Sequence, residues 1–572
     1  MPARHDLLTT PWITVSMRDG STTDLSLLDT FTRAQDVRSL ACETPSVDLS
    51  LLRLLLAIEY RALGVGSLER WEELHDAGWD HVARRVTTYL NKHAHRFILD
   101  DEDAPFLQLH WMPESPNGKD VTQEKRRSNL FNLIPDVRSQ CTDLVTVVHL
   151  NSTNEIDSLA PAEAARWLVN LQFVDSAGTK GWTRDGDVLH PGCKGKRGAV
   201  QGSTTTLAGT IKNFLHIEGE TLADTLLDNL VPLGPNTLGL DLHTGADDLP
   251  PWERPELTVK ELHSAIPLRG VVDAYTRQTR AVRLFWNDDH SAVVNVAMTS
   301  AELTPNSENM LKQLSNIFSE PMTGFNKSKI SGGKWVARSS LPSGRTMWKG
   351  LNAILPTLGG KDEKKDVLTV AKTPIAQWAA IIAEPGELVR LRHTSFSWGD
   401  KCSVLEECPT DVLELPAEVL QDIGLAVDIE LAYTSGNMLI SAAIDCLVNL
   451  EIASGKTPNS ATFVANRERA AITAALDQTF NEWILHLPQM GETAAALWYE
   501  AARRVVVRLT DQAIDRADPR AYSGHTVKIG PAKHETVQVV DIGYVLTHRD
   551  TDIAKASPQS IRETRKKAAT NE

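Results

Sequence analysis

Residues 427–452 read VDIELAYTSGNMLISAAIDCLVNLEI. Apolar side chains recur there at helical spacing for about seven turns, which predicts one long helix. From about residue 415 glycines thin out, and further alanine- and leucine-rich runs follow. The second spans 461–487, with Phe463, Ala470, Leu476, Phe480, Trp483 and Leu487 apolar, and the third spans 491–515. A last helix is expected over 557–569, after a Ser557-Pro558 start. Four amphipathic segments of this kind predict a C-terminal four-helix bundle. A segment of loop and strand character, 520–548, interrupts them.

Upstream the pattern is mixed. Trp12-Ile13-Thr14-Val15 is β-prone, and Asp19-Gly20 is a hairpin-turn signal. Asp48 opens a strongly apolar helix, with Leu49, Leu52, Leu55, Leu56 and Ala57 inward and Gly64 near its end. Residues 161–173 predict a helix with proline in its first turn. Residues 207–232 read as a helix or a helix pair, and 235–256 as a Pro/Gly/Asp-rich loop. Residues 280–298 are strand-like, and 387–406 read as strand, turn, strand. The expected fold class is therefore α+β: a large mixed α/β N-terminal domain over 1–412, followed by the bundle over 413–572.

The chain has 572 residues, more than one compact core usually holds. It is 42% apolar and 23% charged, an ordinary globular balance. Its net charge of −15 argues against a free-standing, non-specific nucleic-acid binder but permits local basic loops on an acidic body. The six cysteines, at 42, 141, 193, 402, 408 and 446, form no CxxC pair. A structural zinc site is therefore not expected, and the thiols read as reduced and cytoplasmic. The N-terminus has no apolar stretch of signal-peptide length, and no run of about 18 apolar residues predicts a transmembrane helix.

Against that acidic background one stretch stands out. Ala177-Gly178-Thr179-Lys180-Gly181 is followed by Gly192-Cys193-Lys194-Gly195-Lys196-Arg197-Gly198 and by Ser203-Thr204-Thr205-Thr206. Glycine lets a backbone approach a ligand closely, and exposed N–H groups with Lys and Ser/Thr suit phosphate or a nucleic-acid groove. A solvated surface loop fits the same composition equally well. Lys327 and Lys329, before Ser331-Gly332-Gly333-Lys334-Trp335, read as a hairpin, basic or merely solvated. Trp398-Gly399-Asp400-Lys401 reads as a turn tip with an aromatic shoulder. Arg503, Arg504 and Arg508 share one predicted helix, as a phosphate-contacting or a solvated face. His93-Ala94-His95 lacks a nearby third ligand, so solvated or capping histidines are expected. No P-loop, GxSxG, HExxH or kinase set occurs. The residues offer no catalytic constellation and no cofactor signature.

Taken in order, these pieces resemble the large-subunit (CasA) family of the type I-E CRISPR surveillance complex Cascade. The resemblance is carried by Pro11-Trp12-Ile13-Thr14-Val15 with Asp19-Gly20, then Arg96-Phe97-Ile98-Leu99 and Pro105-Phe106-Leu107-Gln108. The glycine loop leading to Ser203-Thr204-Thr205-Thr206 follows, then Pro251-Trp252, Leu284-Phe285-Trp286, Thr323-Gly324-Phe325 and the helical C-terminal end. It spans nearly the whole chain. It implies a non-enzymatic, cytoplasmic subunit, with no cofactor, metal or membrane contact. Such a subunit recognises a short protospacer-adjacent motif in double-stranded DNA from the minor groove and helps open the duplex for guide RNA. Its implied partners are target DNA, guide RNA, the backbone and small subunits, and a recruited helicase–nuclease. The implied motif-reading residues are Ala177, Gly178, Thr179, Lys180 and Gly181 in the glycine loop, the minor-groove lysine Lys329, and the wedge Gly399, Asp400, Lys401 and Cys402. Val147, Val148, His149, Asn151 and Asn154 are implied to contact the guide RNA and neighbouring subunits. Lys401 stands where the family pattern has a glutamine. Two readings compete with this one: a hydrolase with a dispersed metal site, and a scaffold that never touches DNA.

Overall fold

The computed structural model describes residues 5–110, 130–134, 157–176, 183–185, 188–190, 208, 213–234, 246–258, 269–301, 321–323, 325–328, 334–337, 351, 354–355, 369–370, 373–399, 402, 404–529 and 536–570. The chain divides into two compact units. One comprises Met1–Ser340, Glu363–Ile382 and Leu391–Thr410; the other comprises Leu341–Asp362, Ala383–Arg390 and Asp411–Glu572. Helices and strands are mixed in the first, and helices dominate the second, as the α+β reading expects.

The first unit begins with a three-stranded antiparallel sheet, β1 (Ile13–Met17) between β2 (Thr22–Leu25) and β3 (Val37–Leu40). The turn joining β1 to β2 carries Gly20 at φ +85°, which explains the Asp-Gly signal. A short helix α1 (Leu27–Thr32) is capped by Ser26, whose side chain accepts the Asp29 N–H. Helix α2 (Pro45–Leu63) starts with proline in its first turn and ends on Gly64 at φ +65°. It is buried on nearly every side, including Arg53 and Glu59. Against it pack α4 (Trp79–Lys92), which follows and packs on α3 (Leu68–Ala77), and α5 (Pro161–Phe173).

The segment expected to be helical over 207–232 is instead a strand followed by a helix. β4 (Thr183–Asp185) and β5 (Val188–His190) form a small hairpin, and β6 (Asn213–Ile217) follows as a fully buried strand. Its five residues, NFLHI, are too few to show a helical period, and burial on both faces removes alternation. Helix α6 (Leu222–Asp228) then opens with a capping box between Thr221 and Asp224. Helix α7 (Val271–Thr276) leads into the antiparallel pair β7 (Arg280–Trp286) and β8 (Val293–Ser300). β9 (Phe325–Ser328) pairs with β10 (Lys334–Ala337) and β11 (Thr369–Val370). Helix α8 (Pro374–Ile382) precedes β12 (Leu388–Ser395), which pairs antiparallel with β6 from Leu391↔Ile217 to Ser395↔Asn213. β13 (Ser397–Trp398) and β14 (Leu405–Glu407) form the hairpin read in the sequence.

In the second unit a short helix α9 (Ala417–Gln421) precedes α10 (Ile423–Ala453), the long helix read from 427–452. At 31 residues it is roughly 46 Å long. Among the described residues it alone is long and apolar enough to cross a membrane, and 56% of its most apolar window is buried. Packed on it are α11 (Pro458–Arg467), α12 (Arg469–Leu485), α13 (Ala494–Asp515), α14 (Ile542–Lys555) and α15 (Pro558–Thr570), together with α9 and the short helix Arg520–Ser523. Trp498 is fully buried, stacks edge-on against Phe480 and donates to the Ala432 carbonyl at 2.9 Å. The insertion is the hairpin β15 (His525–Ile529) and β16 (Thr536–Val540), but α14 begins at Ile542, inside the stretch expected to be loop and strand.

Candidate nucleic-acid interface

Ala177, Gly178, Thr179, Lys180, Gly181, Lys329, Asp400 and Lys401 lie outside the described residues, as do Val147, Val148, His149, Asn151 and Asn154. The described residues on either side define where each candidate segment leaves the fold. Gly399 and Cys402 are described. The Cys402 N–H donates to the Gly399 carbonyl at 3.0 Å, and the Gly399 N–H donates to Val404 O at 2.9 Å. Cys402 adopts φ +56°, so a non-glycine residue closes this turn in the left-handed region.

The roots of the three candidate segments meet at β6. The glycine loop leaves from the end of α5, where Phe173 packs on Phe214 of β6 at 4.9 Å and 71°. The wedge hairpin leaves from Phe396, which packs on Phe214 at 5.8 Å and on Phe173 at 5.9 Å, both edge-on. Edge-to-face rings at these separations attract beyond their area burial. The strand that precedes Lys329 leaves from Met322, whose carbonyl accepts the Leu215 N–H of β6 at 2.7 Å. The Trp398 indole donates to Ala208 O at 3.3 Å, two residues beyond Thr206. The described residues flanking the glycine-rich stretch are thus tied to β6 and Phe396 on one side and to β13 on the other.

Beneath the rings sits Arg53, fully buried, with its guanidinium 4.4 Å from the Phe173 and Tyr275 ring centres and 5.4 Å from Phe214. It also donates to Ala274 O at 2.8 Å. A planar, weakly hydrated guanidinium can stack on such rings while donating to a carbonyl. The root of the glycine loop is stapled a second time. Arg280 Nε reaches Asp175 Oδ2 at 2.5 Å, with the two side chains 1% and 0% exposed. Arg280 and Gln172 exchange hydrogen bonds at 2.9 and 3.0 Å, and the Thr279 hydroxyl donates to Gln172 O at 2.6 Å. Two residues beyond Asp175 the glycine loop begins.

The remaining candidates behave as ordinary surface. His93 is the C-cap residue of α4, and no group of three or more metal-ligating side chains occurs among the described residues. Arg503, Arg504 and Arg508 are exposed on α13, with Arg503 3.7 Å from Glu500. Cys42, Cys402, Cys408 and Cys446 form no disulfide with one another. Sequence reasoning missed Phe214, Phe396, Arg53, Asp175 and Arg280. Phe214 lies in the stretch read as helix, and lone buried charges have no local signature.

The described residues that flank the candidate segments are thus brought together in one packed patch. Comparison with known proteins gives the chain a family. The family described as CRISPR-associated protein Cse1 matches residues 6–509, so the chain belongs to that family. A CasA/Cse1 protein of Thermus thermophilus is 27% identical over 369 residues, covering 63% of this chain and 61% of that protein, less than two thirds of the relative's length. The crystal structure of Thermobifida fusca Cse1 has a TM-score of 0.76 at 25% identity, with 98% of each chain covered. A chain of a structure described as a CRISPR RNA-guided surveillance complex has a TM-score of 0.57 at 19% identity, covering 88% of this chain and all of that one, a likeness of fold.

Proposed function

We propose that this chain is a non-catalytic large subunit of a cytoplasmic CRISPR RNA-guided surveillance complex. It reads a short motif beside the target in double-stranded DNA from the minor groove, and it helps open the duplex so that guide RNA can pair. The observation that carries this reading is the common root at β6. The described residues beside three lysine-bearing stretches, 177–181, 329 and 399–402, meet at one aromatic-centred patch. A groove reader needs its contacts at fixed mutual spacing, and a shared rigid root supplies it. Minor-groove readout is degenerate, so such a reader tolerates several motifs. Base pairing to the guide then reads the remaining sequence, as in other RNA-guided effectors. In this reading Ala177, Gly178, Thr179, Lys180, Gly181 and Lys329 contact the groove. Gly399, Asp400, Lys401 and Cys402 form the wedge, with Lys401 contacting phosphate. Val147, Val148, His149, Asn151 and Asn154 meet the guide RNA and neighbouring subunits, and the assembled complex recruits the helicase–nuclease.

The test is double-stranded target binding by the guide-loaded complex, with and without this chain, over randomised flanking motifs. The expected result is binding that needs the chain, enriches a short flanking motif and loses that preference in Lys329→Ala. Unchanged binding and preference without the chain would establish the scaffold reading instead. Metal-dependent cleavage by the chain alone, abolished by carboxylate substitutions, would establish the hydrolase.

A further inference from the structure

A cavity of about 130 Å³ lies within the first unit, between the start of α2 and the β6–β12 pair. Leu40, Leu49, Leu52 and Leu222 supply its apolar wall, while Asp48, His216, Glu218, Arg392 and Thr394 supply a polar one. The polar wall is pre-arranged and incompletely satisfied. Arg392 is held in a two-pronged pair by Glu218, at 2.9 and 3.0 Å. Asp48 accepts the Cys42 N–H on Oδ1 at 2.8 Å. His216 is 7% exposed, and its Nδ1 has no hydrogen-bond partner. Burial, with the Arg392 charge opposite, pushes the His216 imidazole down to about 3, so the ring is neutral with one donor and one acceptor nitrogen. Buried polar groups of this kind ordinarily find partners, and an unsatisfied imidazole nitrogen on a cavity wall points to a ligand.

Size and chemistry narrow the occupant. Cavities of about 150 Å³ hold benzene, so this one matches a single six-membered ring. The apolar wall accepts the faces of a flat ring. A carboxyl group beside a neutral imidazole complements an edge that alternates N–H donors and ring or carbonyl acceptors. The place in the fold adds a source. His216 and Arg392 face each other across the two strands, as do Phe214 and Thr394 two residues on. By strand alternation His216 therefore shares a sheet face with Phe214, at which the candidate loops root.

We propose that this cavity is a pocket for one pyrimidine base, held at its edge by Asp48 and His216 and bordered by the Arg392–Glu218 pair. The base comes either from an unstacked nucleotide of a nucleic-acid strand or from a free nucleoside. The strand source, though not the pocket, rests on the nucleic-acid reading above.

The test uses the full-length chain. Cytidine, uridine and thymidine, with adenosine and guanosine as controls, are titrated by ligand-observed nuclear magnetic resonance. Pyrimidine single-stranded hexamers are compared with the same hexamers carrying one abasic residue at each position in turn. Ser39→Tyr plugs the half-buried rim, and Asp48→Asn keeps the Cys42 N–H acceptor while changing the carboxyl. The expected result is saturable binding of at least one pyrimidine nucleoside, at least tenfold tighter than either purine and weakened at least tenfold by both variants. A tenfold loss at one abasic position assigns the base to a strand, and abasic indifference assigns it to a free nucleoside; both uphold the pocket. Equal binding of purines, no saturation by any pyrimidine with the unsubstituted chain, or unchanged binding in Ser39→Tyr overturns it. If nucleoside binding fails while the guide-loaded complex keeps its motif preference, the pocket alone is wrong. If the preference fails while nucleosides still bind, only the motif-reading proposal is wrong.

Discussion

Removing one charge from the Asp175–Arg280 pair tests how the glycine loop is anchored. Both side chains are out of solvent, 0% and 1% exposed, so water cannot replace a lost partner. Asp175→Asn keeps the shape and removes the charge, leaving the Arg280 guanidinium buried with its remaining carbonyl partners, such as Thr279 O at 3.0 Å. Breaking a buried pair from one side costs about 3–5 kcal/mol, whereas replacing both partners by apolar groups is often close to neutral. Against a typical domain stability of about 5–15 kcal/mol, that loss is about a fifth or more. At a urea slope of about 3 kcal/mol/M the unfolding midpoint falls by about 1 M or more. The assay is urea unfolding of the full chain by tryptophan fluorescence, for Asp175→Asn and for the double variant Asp175→Leu/Arg280→Met. The double variant is expected to be more stable than the single one, because no charge is left stranded. A loss below about 1 kcal/mol for Asp175→Asn, or a double variant no more stable than the single, would refute the argument. In the guide-loaded complex Asp175→Asn is also expected to weaken motif preference, since the substituted residue lies two positions before Ala177.

Three further outcomes follow from the same structure. Arg53→Lys keeps the charge but loses the planar stack on Phe173, Phe214 and Tyr275, and is expected to cost about 2 kcal/mol in urea unfolding. Asp248 accepts the N–H groups of Val272 and Asp273 at the start of α7, and burial pushes its carboxyl up from 3.8 to about 6. The folded state therefore holds this proton more tightly than the unfolded chain. Its contribution is full below pH about 4 and is lost as pH rises through about 6, so the unsubstituted chain should lose about 3 kcal/mol relative to Asp248→Asn over that window. Gly524 has φ +73°, and a Cβ there would lie 2.8 Å from Asp541 Cβ and 2.9 Å from Val540 O, so Gly524→Ala should cost about 2–4 kcal/mol and open the β15–β16 hairpin. Gly455, at φ +96° with open space around it, is the control and should lose only the left-handed cost of about 1–2 kcal/mol, read by thermal unfolding.

What the chain alone determined was local and periodic. The 427–452 run, the proline-started helix at 161–173 and the strand–turn–strand at 387–406 are each specified by neighbours within a few residues, through side-chain period, capping and turn chemistry. The ordered set of short motifs was equally legible, because order along a chain survives without coordinates. The tertiary structure decided the rest. Asn213–Ile217 became a strand because β12 pairs with it and burial on both faces erased its alternation. Phe173, Phe214 and Phe396 converge from three distant segments, and no local pattern marks a contact whose partners lie far apart in sequence. The same holds for Arg53 in its aromatic cage, for Asp175 with Arg280, and for the cavity that joins Asp48 to His216. A lone charge in a sequence reads as solvent-exposed by default. Only packing shows that it is buried, what satisfies it, and what it still lacks.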